Sequence, residues 1–149
     1  MTCTVKASNI VGLGAASAPS NSVTPLPPCS LDFNGDSTVN TTDALIFSRW
    51  LLGFREDSLV ADITPFPAGT TTSVFAAAVT ARMQITAAHD FDQNTLVDAA
   101  TDGLIFLRLT LGMRDAALTN GALGAGALRN TCALIRTHLI TACGVTYPP

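Results

Sequence analysis

Seven of the eleven acidic residues in this 149-residue chain fall in two short windows: Asp32, Asp36 and Asp43, then Asp90, Asp92, Asp98 and Asp102. Carboxylates this close repel one another unless a cation sits among them. Other oxygen-bearing residues stand between them at alternate places. Numbered from Asp32, the first window has side-chain oxygens at positions 1, 3, 5, 9 and 12, which are Asp32, Asn34, Asp36, Asn40 and Asp43. Thr38, at position 7, can offer its backbone carbonyl. The second window repeats the plan with Asp90, Asp92, Asn94 and Asp98, and with Leu96 as the carbonyl donor. Its closing carboxylate, Asp102, arrives one residue late, at position 13.

This pattern suits calcium, which takes about six to eight hard oxygens in a coiled loop, and the spacing is that of an EF-hand loop. Val39 is expected to point away from the ion and anchor the first loop in the core. The sharp bend at position 6 is easiest for glycine, so Ser37 and Thr95 predict a strained or shifted turn there. A bulge at the start of the following helix is expected to absorb the extra residue before Asp102. One calcium ion per window, two in all, is the expectation. A pair of acidic turns without metal is the alternative.

The elements that would position these loops also repeat. Leu45-Ile46-Phe47 recurs as Leu104-Ile105-Phe106, Arg49 as Arg108, Leu52-Gly53 as Leu111-Gly112, and Arg55 as Arg114. The offset is 58 residues at the start and 59 after Asp98. Such duplication implies two equivalent units, at 31–86 and 88–144. Helices are predicted over 42–53 and 101–112, capped by Thr42 and Thr101 and stopped by Gly53 and Gly112. Second helices are predicted over 72–84 and 127–141. On the first helix Phe47, Trp50, Leu51 and Phe54 form one apolar stripe, widened by Leu45 and Leu52, that should face the core. The predicted class is mainly α: two tandem loop–helix–linker–helix repeats.

Ahead of them, residues 2–24 alternate in strand fashion around Gly12 and Gly14, which predicts a short β-hairpin. Pro25, Pro27 and Pro28 then predict a stiff linker over 26–30.

Composition narrows the function. Hydrophobic residues make up 48% of the chain and charged ones 13%, enough to fold. The net charge of −3 and a single lysine, Lys6, give no basic patch for nucleic acid. No apolar run is long enough to span a bilayer. Met1 is not followed by a signal peptide, which is read as a fragment or as an export signal on an upstream part. Cys3, Cys29, Cys132 and Cys143 lack zinc-site spacing. Cys132 and Cys143 on one helix would lie about 16 Å apart, too far to bond. A Cys29–Cys143 bridge would staple the folded region, and free buried thiols are the alternative. No nucleophile or carboxylate is set beside a histidine in a catalytic motif, so no enzyme is expected. His89 reads as a surface or loop residue rather than a base.

The pattern D-x-N-G-D-x-x-x-N-x-x-D followed by A-L-I-F-x-R-x-L-L-G resembles the type I dockerin repeat. The first 25 residues resemble the closing strands of a fibronectin type III domain. The dockerin resemblance implies that Asp32, Asn34, Asp36, Asn40 and Asp43, with Asp90, Asp92, Asn94, Asp98 and Asp102, hold calcium. It implies partner contacts at Thr41 and Thr42, at Ala99 and Ala100, and at the helical arginines Arg49 and Arg108. It further implies an extracellular or cell-surface module, monomeric within a larger chain, that docks to a cohesin-like or cell-surface protein. The parent would be a polysaccharide-degrading enzyme. A structural C-terminal domain of a surface protein without a cohesin partner, or an accessory domain of an exported hydrolase, is the alternative. The two repeats lie farther apart than dockerin repeats do.

Overall fold

A computed structural model describes residues 6–9, 12–16 and 29–145 of the chain. Two strands, β1 (Lys6–Asn9) and β2 (Gly12–Ala16), pair antiparallel, with Ser8 opposite Leu13 and Asn9 opposite Gly12. Of the expected proline linker over 26–30, residues 26–28 lie outside the described residues, and so do residues 17–25. From Cys29 onward the structure is mainly helical.

The first acidic window runs straight into α1 (Thr41–Leu51). Asn40 caps it, its side-chain oxygen taking the Thr42 N–H at 2.7 Å, while Asp43 reaches back to the Asn40 N–H at 3.0 Å. This reciprocal cap satisfies donors that the first turn cannot, so Asn40 does the work predicted for Thr42. The helix stops where Gly53 adopts φ +90°, its N–H bonding to Trp50 and that of Phe54 to Arg49. Glycine takes this left-handed conformation without a Cβ clash.

The second window needs one more step. Asp98, and not Thr101, caps the helix, accepting the Ala100 and Thr101 N–H groups at 2.8 and 2.9 Å. Residues Ala99–Gly103 then form one wide turn closed by Gly103 N–H to the Asp98 carbonyl at 3.0 Å. That six-residue closure takes up the additional residue before α3 (Leu104–Thr110) begins. Gly103 also lies against α1: a Cβ there would come within 3.0 Å of Ser48 Oγ.

The two halves share one core. Phe33 stacks on Phe47 at 5.4 Å, and Phe106 meets Phe47 edge-on at 5.9 Å and Phe91 at 6.1 Å. All four phenylalanines are fully buried, each contributing about 1.5–3 kcal/mol by leaving water. His89, predicted at the surface, is buried among Phe33, Phe47 and Phe91. It ends a short 3-10 turn (Ala87–His89), and its Nδ1 accepts the Thr86 N–H at 3.1 Å. Burial among rings holds the imidazole below its ordinary pKa, and hence neutral.

The α1 stripe differs from its predicted form. Ala44, Ile46 and Phe47 are buried and Trp50 and Leu51 half-buried, whereas Leu45, Leu52 and Phe54 are exposed. The glycine stop turns the chain before Phe54 can rejoin the stripe.

After α1, a 3-10 turn (Glu56–Leu59) brings Leu59 and Val60 inward, where α2 (Thr72–Arg82) adds Phe75, Ala76 and Val79. After α3, the matching place holds a short helix, α4 (Asp115–Thr119). The last helix, α5, spans Cys132–Cys143 rather than the predicted 127–141. Thr131 caps it, because the residues before it are drawn away to the second acidic loop, as described below. A disulfide joins Cys29 to Cys143 across 114 residues, and Cys132 is free and buried. No described helix is long and apolar enough to cross a membrane.

Candidate metal centre

Each loop is wound around its first and last carboxylates. Asp32 accepts the N–H groups of Gly35 and Ser37 at 2.8 and 2.9 Å, and Asp90 accepts those of Asn94 and Thr95 at 3.0 and 2.8 Å. The bend these bonds demand puts Ser37 at φ +69° and Thr95 at φ +79°. Both are left-handed conformations that cost a side-chain-bearing residue about 1–2 kcal/mol. The strain expected at position 6 is therefore present in both copies.

The closing carboxylates reach back across the loops. Asp43 accepts the N–H of Phe33 at 2.8 Å with one oxygen and that of Asn40 at 3.0 Å with the other. Asp102 does the same with Phe91 at 2.6 Å and Asp98 at 3.0 Å, and adds the Thr101 hydroxyl at 3.1 Å. Both side chains are completely buried. Burial pushes each carboxyl up from 3.8 to about 6, outweighing the N–H groups that favour the anion. Asp92 is likewise raised, first by burial and also by the nearby Asp90.

In the second loop Asp90, Asp92 and Asp102, all buried, each bring a carboxylate oxygen to within 4.8 Å of the others. Three such oxygens in one place could hold a metal ion. Among the described residues no other trio of acidic, histidine or cysteine side chains converges this way. In the first loop the residue matching Asp92 is Asn34, whose amide is turned onto Asp36: Nδ2 donates to it at 2.8 Å and Oδ1 accepts its N–H at 3.0 Å.

The other predicted ligands sit around these centres. Asp36 Oδ1 accepts the Thr38 N–H and Asn94 Oδ1 the Leu96 N–H, both at 2.8 Å. Thr38 and Leu96 are exposed. Asn40 and Asp98 use their side chains as helix caps. Val39 and Val97 pack against the core.

Of the predicted partner residues, Thr41 and Ala100 are exposed and Thr42 and Ala99 half-buried. The arginines are engaged within the chain. Arg49 donates to the carbonyls of Leu59 and Ala61 at 3.3 and 2.7 Å, and Arg108 to those of Leu118 and Asn120 at 3.1 and 2.7 Å. Each guanidinium pins the segment after its helix back onto that helix.

Local spacing missed the outer wall of the second loop. The Gly124 N–H donates to Asp92 Oδ2 at 2.6 Å, and the Arg129 N–H to the Asp92 carbonyl at 2.8 Å. The Arg129 guanidinium donates to the Asp90 carbonyl at 2.6 Å. A Cβ on Gly124 would come within 1.8 Å of Asn94 Nδ2, so any other residue here must push the Asn94 side chain aside. A glycine and an arginine more than thirty residues downstream carry no periodic signal that could have announced this.

The chain matches no family model, no curated protein and no solved structure.

Proposed function

We propose that this chain is a calcium-binding, dockerin-like module of an exported protein, in which two EF-hand-like loops fold around one ion each. The observation that carries this is the convergence of Asp90, Asp92 and Asp102, three buried carboxylates within 4.8 Å. Anions so placed are costly unless a cation joins them. Asp90, Asp92, Asn94, Asp98 and Asp102, with the Leu96 carbonyl, would hold the second ion. Asp32, Asn34, Asp36, Asn40 and Asp43, with the Thr38 carbonyl, would hold the first.

The metal would supply positive charge at the closing carboxylates and nothing catalytic. The chain's own part is mechanical. Asp43 and Asp102 each tie the first turn of a helix to the start of its loop, so whatever stabilises their anions fixes the angle at which α1 and α3 leave. Extracellular calcium, near millimolar, is enough for sites of this kind. At a hundredfold excess over the dissociation constant each ion adds about 2.7 kcal/mol.

Docking to a cohesin-like or cell-surface partner through Thr41, Thr42, Ala99 and Ala100 completes this reading. A purely structural C-terminal domain is the second one, favoured by Arg49 and Arg108, whose guanidiniums are taken up by carbonyls of their own chain. Melting of chelator-stripped protein, with and without millimolar calcium, tests the calcium claim. With both sites at that excess a rise of about 10–20 °C is expected. An unchanged melting curve would overturn it.

A further inference from the structure

The sequence contains Asn-Gly twice in the described region, at Asn34-Gly35 and at Asn120-Gly121. Asparagine before glycine is the pair most open to self-modification, because glycine has no side chain to hinder attack of its backbone nitrogen on the asparagine amide. The two pairs are held very differently. From that contrast we infer that Asn120 is a deamidation and isomerisation site of the folded protein, and that the first acidic loop shields Asn34 from the same reaction.

Asn120 and Gly121 are the central residues of a turn closed by Ala122 N–H to the Thr119 carbonyl at 3.0 Å. With Asn120 at φ −59°, ψ 117° and Gly121 at φ +67°, it is a type II turn, which leaves the Gly121 N–H without a partner. Both residues are exposed, and a Cβ on Gly121 would meet nothing within 4 Å. Glycine accepts either sign of φ, so the intervening peptide can rotate to bring its nitrogen onto Cγ. Arg108 favours the chemistry. Its guanidinium donates to the Asn120 carbonyl at 2.7 Å, and that oxygen takes up negative charge when the Gly121 nitrogen gives up its proton.

The reaction balances with water alone. The Gly121 nitrogen loses its proton and bonds to Asn120 Cγ. The Cγ–Nδ2 bond breaks, and ammonia leaves with that proton. Water then opens the cyclic imide at one carbonyl or the other, giving aspartate or isoaspartate. Isoaspartate adds a methylene to the main chain and displaces the carbonyl that Arg108 grips, loosening α4 from α3.

At Asn34 every group is tied down. The Gly35 N–H donates to Asp32 at 2.8 Å, and both ends of the Asn34 amide are bonded to Asp36. Asn34 is buried, and the flanking carboxylates oppose a second negative charge on the peptide. The reaction there must wait for the loop to open. An opening cost of about 1.4 kcal/mol slows it tenfold.

The test is to age native protein in mildly alkaline buffer beside a sample held in urea, then to map peptides by mass and assay isoaspartate. In the native sample the peptide holding Asn120 should gain one mass unit at least about tenfold faster than that holding Asn34, and in urea the two should react alike. Asn120→Gln should abolish the gain in its own peptide, and the aged variant should keep the melting point that aged wild type loses. A native Asn120 that stays intact, or a native Asn34 that reacts as fast as Asn120, would overturn the proposal.

Discussion

The two acidic loops start from nearly the same sequence and solve the crowding of charge in different ways. The first dilutes it. Asn34 stands where the second loop has Asp92, and every partner of its carboxylates lies within the window itself, from Asp32 to Asp43. The second carries a fourth carboxylate and borrows donors from far along the chain, the Gly124 N–H and the Arg129 guanidinium. The first loop bonds only to itself, with the Arg82 guanidinium of α2 lying against Gly35, and the second is bonded to a wall from the following linker. The two windows share the spacing of their oxygens, while their surroundings differ with the charge each carries.

The sharpest way to break the comparison is to remove the closing carboxylates in turn. Asp43→Ala strands three backbone N–H groups and Asp102→Ala two, and each should cost about 3–5 kcal/mol in urea denaturation. Each should also abolish calcium uptake by its own loop alone. Equal loss of both ions from either variant would show that the loops are not independent.

Acidity offers the next test. Asp43 and Asp102 have pKa values near 6 against 3.8 for an ordinary aspartate. A raised folded pKa means that the fold favours the protonated form. Metal-free protein should therefore be most stable below about pH 4 as far as these two groups go, and should lose that advantage as pH rises through 6. Each carboxylate accounts for up to about 3 kcal/mol over this window. Calcium should reverse the slope, since it favours the anions. Melting curves across pH 4–7, with and without calcium, read this directly.

The borrowed wall is the feature that separates the loops. Gly124→Ala pushes a methyl into Asn94 and breaks the bond to Asp92, which should cost about 1–3 kcal/mol and weaken the second site only. A matching fall in the first site would contradict the separation drawn here. The smallest effect belongs to the strained bends. Ser37→Gly and Thr95→Gly relieve positive φ at some cost in unfolded-state entropy, for a net gain of about 0.5–1 kcal/mol each by thermal melting.

Much of this was legible in the sequence because it is local. The alternation of oxygens from Asp32 to Asp43, the glycine stops at Gly53 and Gly112, and the extra residue before Asp102 depend on near neighbours, and the structure resolves each as a bonded turn. Asn40 with Asp43 three residues on was also a readable capping pair, passed over for Thr42. The wall at Gly124 and Arg129 was not legible, because its contacts span more than thirty residues and leave no period. His89 was misplaced for a similar reason: its burial depends on phenylalanines from both copies meeting around it, which neither copy alone reveals.

The central claim rests on metal being bound, and titrating calcium into chelator-stripped protein by calorimetry, with helix content followed alongside, addresses it most directly. Two ions taken up with a gain of helix is the predicted result. No heat and no gain of helix at millimolar calcium would contradict it and leave two acidic turns held by hydrogen bonds alone.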